Sequence, residues 1–185
     1  MKEMFEAVRA GDSPRVEALM AADATLAIFA ASMLGDIVRL EALLTANRSL
    51  VTAVSTDGWT PLHLAAFFGK LDAARLLLNK GASVTTRSTN AMNNHPIHAA
   101  SAGGHVEIVK LLLEHGAPAN AQQHGGWVAL HAAAQHGNVE MAKVLVESGA
   151  DASFRADNQQ RPIDLALLKG HQAMVDYLEA SGATL

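Results

Sequence analysis

Nine histidines are the residues of this chain with the widest chemical scope. A neutral imidazole nitrogen ligates zinc and other transition metals, and its pKa near neutrality suits proton transfer. His63, His98 and His131 recur at separations of 35 and 33 residues, with His95, His105, His115, His124, His136 and His171 around them. A zinc site needs its ligand nitrogens about 2 Å from one ion. Near-equal long spacing instead places His63, His98 and His131 at one position in successive copies of a unit. No cysteine is present, which excludes disulfides and thiolate metal sites. The sequence also lacks a Gly-x-Ser-x-Gly elbow, a Gly-x-x-x-x-Gly-Lys phosphate loop and a His-Glu-x-x-His pair. Asp151, Asp157 and Asp164 have no apolar surroundings that would raise a carboxyl pKa for acid catalysis. Neither a catalytic set nor a cofactor is expected.

The elements that position these histidines follow from the repeat itself. Gly35, Gly69, Gly104, Gly137 and Gly170 are spaced by 34, 35, 33 and 33 residues, with Gly11 24 residues before the first. Six residues before each glycine stand Phe5, Phe29, His63, His98, His131 and Asp164. Within a unit, Pro61 through Gly69 reads as a helix of about two turns, opened by proline and ended by glycine. Leu71, Ala74, Leu77 and Leu78 then mark a second helix with one apolar stripe, repeated at Val106, Val109, Leu112 and Leu113 and at Val139, Ala142 and Leu145. The second helices stop at Gly81, Gly116, Gly149 and Gly182. One such pair cannot bury its stripe, whereas a stack of them shares a continuous core, so the pattern predicts a solenoid. In that stack the three histidines form a ladder with rungs about 8–10 Å apart, too far to share a metal easily.

Thr60-Pro61-Leu62-His63-x-Ala65, the run Gly104-His105-Val106-Glu107 and the turn Gly149-Ala150-Asp151 all fall in one register. With these motifs the chain resembles the ankyrin repeat family over nearly its whole length. The resemblance implies an all-α solenoid of stacked helix-turn-helix units with β-hairpin-like finger loops. About six units are expected in a single domain, 1–185: 1–24 as N-terminal cap, then 25–54, 55–87, 88–122, 123–155, and 156–185 as C-terminal cap. It also implies that the ladder histidines tie each hairpin to its neighbour by hydrogen bonds. The pattern departs at His95-Pro96-Ile97-His98, at Val128-Ala129-Leu130-His131, which lacks the proline, and at Arg161-Pro162-Ile163-Asp164. The first unit has no signature, and its Lys2, Glu3, Glu6, Arg9, Asp12, Arg15 and Glu17 suit an outer face that meets water.

Composition narrows the partner class. Half of the 185 residues are hydrophobic but only 4% are aromatic, the balance of an aliphatic, alanine-rich core. A formal charge of −4 and 14 scattered basic residues disfavour nucleic acid. No apolar run approaches the roughly 18 residues of a membrane helix, and Met1-Lys2-Glu3-Met4-Phe5-Glu6 does not read as a signal peptide, so a cytoplasmic protein is expected. Asp72/Arg75, Glu107/Lys110 and Glu140/Lys143 are expected to pair along a solvated convex face.

The resemblance further implies that a partner protein docks on the concave side, on finger tips and exposed first-helix positions. The two positions before the helix-ending glycine hold Met33 and Leu34, Phe67 and Phe68, Ala102 and Gly103, Gln135 and His136, and Leu168 and Lys169. The position just before each first helix's opening pair holds Trp59, Asn94, Trp127 and Gln160. Both tryptophans and two of the five phenylalanines thus fall where the fold should leave them exposed, matching the aromatic anchors and polar rim of a binding patch. The competing reading has Trp59 and Phe67 folding back over thin alanine-rich helices, with Phe68 partly buried. The connection from Ser83 to Asn94 makes its repeat two residues longer than a 33-residue period and should project as a finger with Met92 near its tip, either in contact or idle. The expected partner-binding residues are Met33, Leu34, Trp59, Phe67, Phe68, Met92, Asn94, Trp127, Gln135 and His136, on a non-enzymatic module that is monomeric when unbound. Two other classes remain: a dedicated inhibitor or immunity-type protein for one enzyme or toxin, and a metal- or small-molecule-binding protein using the spare His124 and His136.

Overall fold

A computed structural model describes residues 1–183 except the side chain of Ala24, and every regular element within them is helical. Thr184 and Leu185, the end of the sixth expected unit, lie outside the described residues. Six helix pairs follow one another: α1 (Lys2–Ala10) with α2 (Ser13–Ala22), α3 (Ala24–Leu34) with α4 (Ile37–Ala46), and α5 (Pro61–Phe67) with α6 (Leu71–Asn79). The remaining pairs are α7 (Pro96–Ala102) with α8 (Val106–Glu114), α9 (Ala129–Gln135) with α10 (Val139–Glu147), and α11 (Pro162–Lys169) with α12 (Gln172–Ala180).

Local chemistry sets the ends of these helices. The Thr60 hydroxyl accepts the His63 N–H at 3.4 Å and Pro61 occupies the first turn of α5, where its missing N–H leaves nothing unsatisfied. Gly69 closes the helix at φ 71°, a left-handed conformation that a side chain disfavours, and Gly11, Gly35, Gly104, Gly137 and Gly170 share that hand. Directly after three of these glycines, Asp12, Asp36 and Asn138 accept N–H groups of Arg15, Arg39 and Met141 at 3.1, 3.0 and 2.9 Å and so start α2, α4 and α10.

The first helices stack in the order α1, α3, α5, α7, α9, α11, and the second helices α4, α6, α8, α10, α12 stack behind them. Leu62 and Ala65, Ile97 and Ala100, Leu130 and Ala133, and Ile163 and Ala166 repeat in register and are almost wholly buried. Small residues alternating with aliphatics let neighbouring helices approach closely while filling the interface.

The finger loops are tight turns; no strand forms among the described residues. Each is closed by a backbone hydrogen bond, Ser55 N–H to Trp59 O (2.9 Å), Ser88 to Asn94 (2.7 Å), Gln123 to Trp127 (2.9 Å) and Ala156 to Gln160 (2.9 Å), with a second inside it, Gly58 N–H to Ser55 O (2.8 Å), Asn93 to Asn90 (3.1 Å), Gly126 to Gln123 (3.1 Å) and Gln159 to Ala156 (2.8 Å). Adjacent tips are joined by Thr89 N–H to Gly58 O (2.9 Å), His124 to Met92 O (2.9 Å) and Asp157 to Gly125 O (3.0 Å). A turn this short has no room for the repeated pairs that define a ladder. The extra residues of the Ser83–Asn94 connection enlarge the Ser88–Asn94 turn, and Asn90 Nδ2 also donates to Asp57 O at 2.9 Å, so this longer finger is anchored on both sides.

The expected convex ion pairs Asp72/Arg75, Glu107/Lys110 and Glu140/Lys143 do not close. Ion pairs form instead between elements, Arg39 with Glu17 at 3.0 Å and Lys80 with Glu41 at 3.4 Å, and Arg15 reaches Glu3 at 2.6 Å. Exposed charges gain little from one another in water, so spacing on a helix does not by itself bring them together.

Candidate functional site

The concave face is organised by the histidine ladder. In each rung Nδ1 accepts the N–H of the residue that opens its own helix, Thr60 (3.4 Å), His95 (3.1 Å) or Val128 (3.2 Å). Nε2 must then carry the proton and donate to a carbonyl further along the stack: His63 to Asn94 O (3.0 Å), His98 to Ala121 O (2.8 Å) and His131 to Gln160 O (3.1 Å). The role implied by the resemblance holds for all three. Burial, which disfavours the charged imidazolium, pushes His63 and His98 down to about 4 and lowers His131 as well. Asp164 stands at the next rung, where its Oδ2 accepts the Arg161 N–H at 2.9 Å, and the Arg161 guanidinium beside it lowers the carboxyl pKa. A carboxylate has no proton to donate onward.

Three further histidines serve the backbone. His105 and His171, at the starts of α8 and α12, direct Nε2 to Phe67 O (3.0 Å) and Gln135 O (3.2 Å), and His115 Nδ1 meets Leu111 O (2.8 Å) at the end of α8. His124 and His136 are exposed. No group of three or more His, Cys, Asp or Glu among the described residues is arranged to hold a metal ion.

Above the ladder runs the row Trp59, Asn94, Trp127 and Gln160. Trp59 is half-buried, edge-on to Phe67 with ring centroids 5.5 Å apart and leaning on His63 at 5.9 Å; Trp127 is half-buried against His131 at 5.0 Å. Both readings of these rings therefore apply at once: one face of each packs on the repeat and the remainder bounds a cleft of about 320 Å³. The cleft opens because Ala102 stands where the neighbouring units have Phe67 and Gln135, with Ala99 and Ala132 beside it. Met92, 48% exposed, and Gln123 enter from the fingers, and Gln135 and His136 close the opposite rim. No carboxylate, lysine or arginine lines this space.

Seven of the ten expected residues thus meet in one cleft: Trp59, Phe67, Met92, Asn94, Trp127, Gln135 and His136. Three do not. Met33 is 0% exposed, part of the core, and Phe5 makes ring contacts with Phe68 (4.9 Å) and Phe67 (6.1 Å). Phe68 is half-buried in that cluster, turned away from the cleft. Leu34, 41% exposed, borders the glycine turns beside Val8 and Val16. Asn94 is at the cleft yet only 5% exposed, not the rim residue its position suggested. Sequence reading missed the floor alanines Ala99 and Ala132, which look like core residues, and the ring contacts of Phe5 with Phe67 and Phe68, whose signal was an aromatic at the ladder position.

Paired helices stacked in register, joined at their finger tips and presenting a lined concave face, define a solenoid repeat protein. Residues 97–185 match a family model described as ankyrin repeats (3 copies), and residues 28–78 and 62–113 match one described as ankyrin repeats (many copies). The chain belongs to the ankyrin repeat family. A comparison with curated proteins gives no match. No helix among the described residues is long and apolar enough to cross a membrane.

Proposed function

We propose that this chain is a non-enzymatic interaction module that binds a partner protein in the concave cleft between Trp59 and Trp127. Ankyrin repeats are in general protein–protein interaction modules, which supplies the class of activity. The observation that carries the location is the pair of half-buried indoles, with Phe67, around an uncharged concavity. Rigid aromatic rings held by their neighbours offer large contact area at little cost in conformational entropy, as binding anchors do. The lining contains no nucleophile with an adjacent base and no carboxylate pair, which favours binding over catalysis.

Ala102→Arg tests this reading, because Ala102 is exposed and its substitution fills the cleft without disturbing the core. The variant should unfold at the same urea concentration as the parent and lose at least tenfold in affinity for a partner purified from the native host. Full affinity in the filled variant would exclude the cleft.

A further inference from the structure

The chain has no cysteine, so its sulfur chemistry belongs to seven methionines. Met4, Met20, Met33, Met141 and Met174 are buried, and the Met20 thioether also meets the Arg39 guanidinium at 3.1 Å. Met1 is half-buried against the core. Met92 alone is exposed, and it lines the cleft.

What Met92 exposes is its side chain. Its N–H donates to Asn90 Oδ1 at 3.0 Å and its carbonyl accepts the His124 N–H at 2.9 Å, so both main-chain polar groups are spent on holding the finger. With Thr89 bonded to Gly58 on the other side, the turn is anchored and the thioether is presented at the cleft rather than left on a loose tip.

A thioether reacts through a sulfur lone pair and needs no deprotonation, so access decides which methionine is oxidised. Hydrogen peroxide gives one oxygen to the sulfur. The S–O bond forms as the O–O bond breaks, the sulfur is oxidised by two electrons, and the second oxygen leaves as water with both protons. Two thiols reverse the change under a sulfoxide reductase: the oxygen departs as water and the thiol sulfurs join in a disulfide. In the core a sulfoxide would break packing, whereas at Met92 no core contact is at stake. The cleft feels it instead. No carboxylate, lysine or arginine lines that space, and Trp59, Phe67 and Trp127 bound it. A sulfoxide oxygen covered there by an apolar surface would lose its water without gaining a donor.

We propose, resting on the cleft as the binding site, that Met92 is a reversible oxidation site for peroxides, and that its sulfoxide weakens the docking of an apolar partner surface on the cleft.

The site is tested on the intact protein with hydrogen peroxide, by peptide mass spectrometry and urea unfolding. Met92 should gain one oxygen about tenfold faster than any other methionine, with the urea midpoint unchanged, and lose it to methionine sulfoxide reductase with dithiothreitol. In concentrated urea all seven methionines should react at similar rates. Another methionine reacting first in the folded protein, or a fall in the urea midpoint when Met92 alone is oxidised, overturns the proposal. The consequence is read with a photo-crosslinking amino acid at Gln135, on the opposite rim, in native-host extract desalted to remove small thiols. Peroxide pretreatment should lower the yield of crosslinked partner about tenfold, leave it unchanged on Met92→Leu, and be mimicked by untreated Met92→Gln. Oxidised protein that crosslinks as well as untreated protein overturns the switch and leaves the cleft standing. If untreated protein gives no crosslink from position 135, the cleft itself is excluded, and the effect of the sulfoxide on docking with it.

Discussion

At the scale of single residues, the same side chain type does two jobs here, and only geometry separates them. His63, His98 and His131 are locked between their own helix start and the next finger, while His136 stands at the rim of the cleft. The ladder was legible because equal spacing argues for equal roles. The burial of Asn94 was not, because nothing in a sequence says which asparagine has its backbone held by other elements. The buried imidazoles predict a pH response of definite sign. An exposed histidine in the unfolded chain protonates near 6.5, whereas folded His63 and His98 resist protonation until about 4. Between those values the unfolded chain holds more protons, so stability is intact above pH 6.5 and falls as the pH drops toward 4. The loss should be on the order of 2 kcal/mol per imidazole by pH 4.5. Urea midpoints measured from pH 7 to pH 4.5 should show this slope, and His98→Gln should reduce it, whatever its effect on stability at pH 7.

At the scale of elements, helix starts and stops were readable from Thr60, Pro61 and the recurrent glycines, since capping is local chemistry. The caps at Asp36 and Asn138 make a direct test: replacing either by alanine leaves an N–H at the start of α4 or α10 unsatisfied, and each should destabilise by about 1 kcal/mol in chemical denaturation. What an element meets across the stack was less readable. A Cβ on Gly103 would come within 2.6 Å of the Phe67 carbonyl oxygen, the same oxygen that faces His105. Gly103→Ala should therefore push α7 away from α5 and lower stability by about 1–3 kcal/mol. It should also shift the Trp59 fluorescence, because the cleft wall moves with it. The hairpin-like finger loops fold as tight turns without a strand among the described residues, and the convex charge pairs of α6, α8 and α10 do not close. Both involve contacts too weakly constrained by spacing to be fixed by the local pattern.

At the scale of the whole molecule, one register position shows how the stack assigns roles. Ala66, Ser101 and Ala134 are 0% exposed, each pressed between successive first helices, while Leu167 at the same position in α11 is 48% exposed. Ala134→Leu should overpack that interface at a cost of about 1–3 kcal/mol, whereas Leu167→Ala should stay within about 1 kcal/mol of the parent, both by urea unfolding. The same logic explains the cleft. A large residue at Trp59 and Trp127 and small ones at Ala99, Ala102 and Ala132 turn a regular surface into a concavity. The period located the row without revealing that Met33 would be wholly buried. The claim that this concavity is where a partner docks is tested most directly by placing a photo-crosslinking amino acid at Ala102, at Gln135 or at the convex Lys110 and irradiating in cells of the native host. Crosslinks to one partner from positions 102 and 135, and none from position 110, are the result expected. A partner captured from position 110 and not from the cleft positions would contradict it.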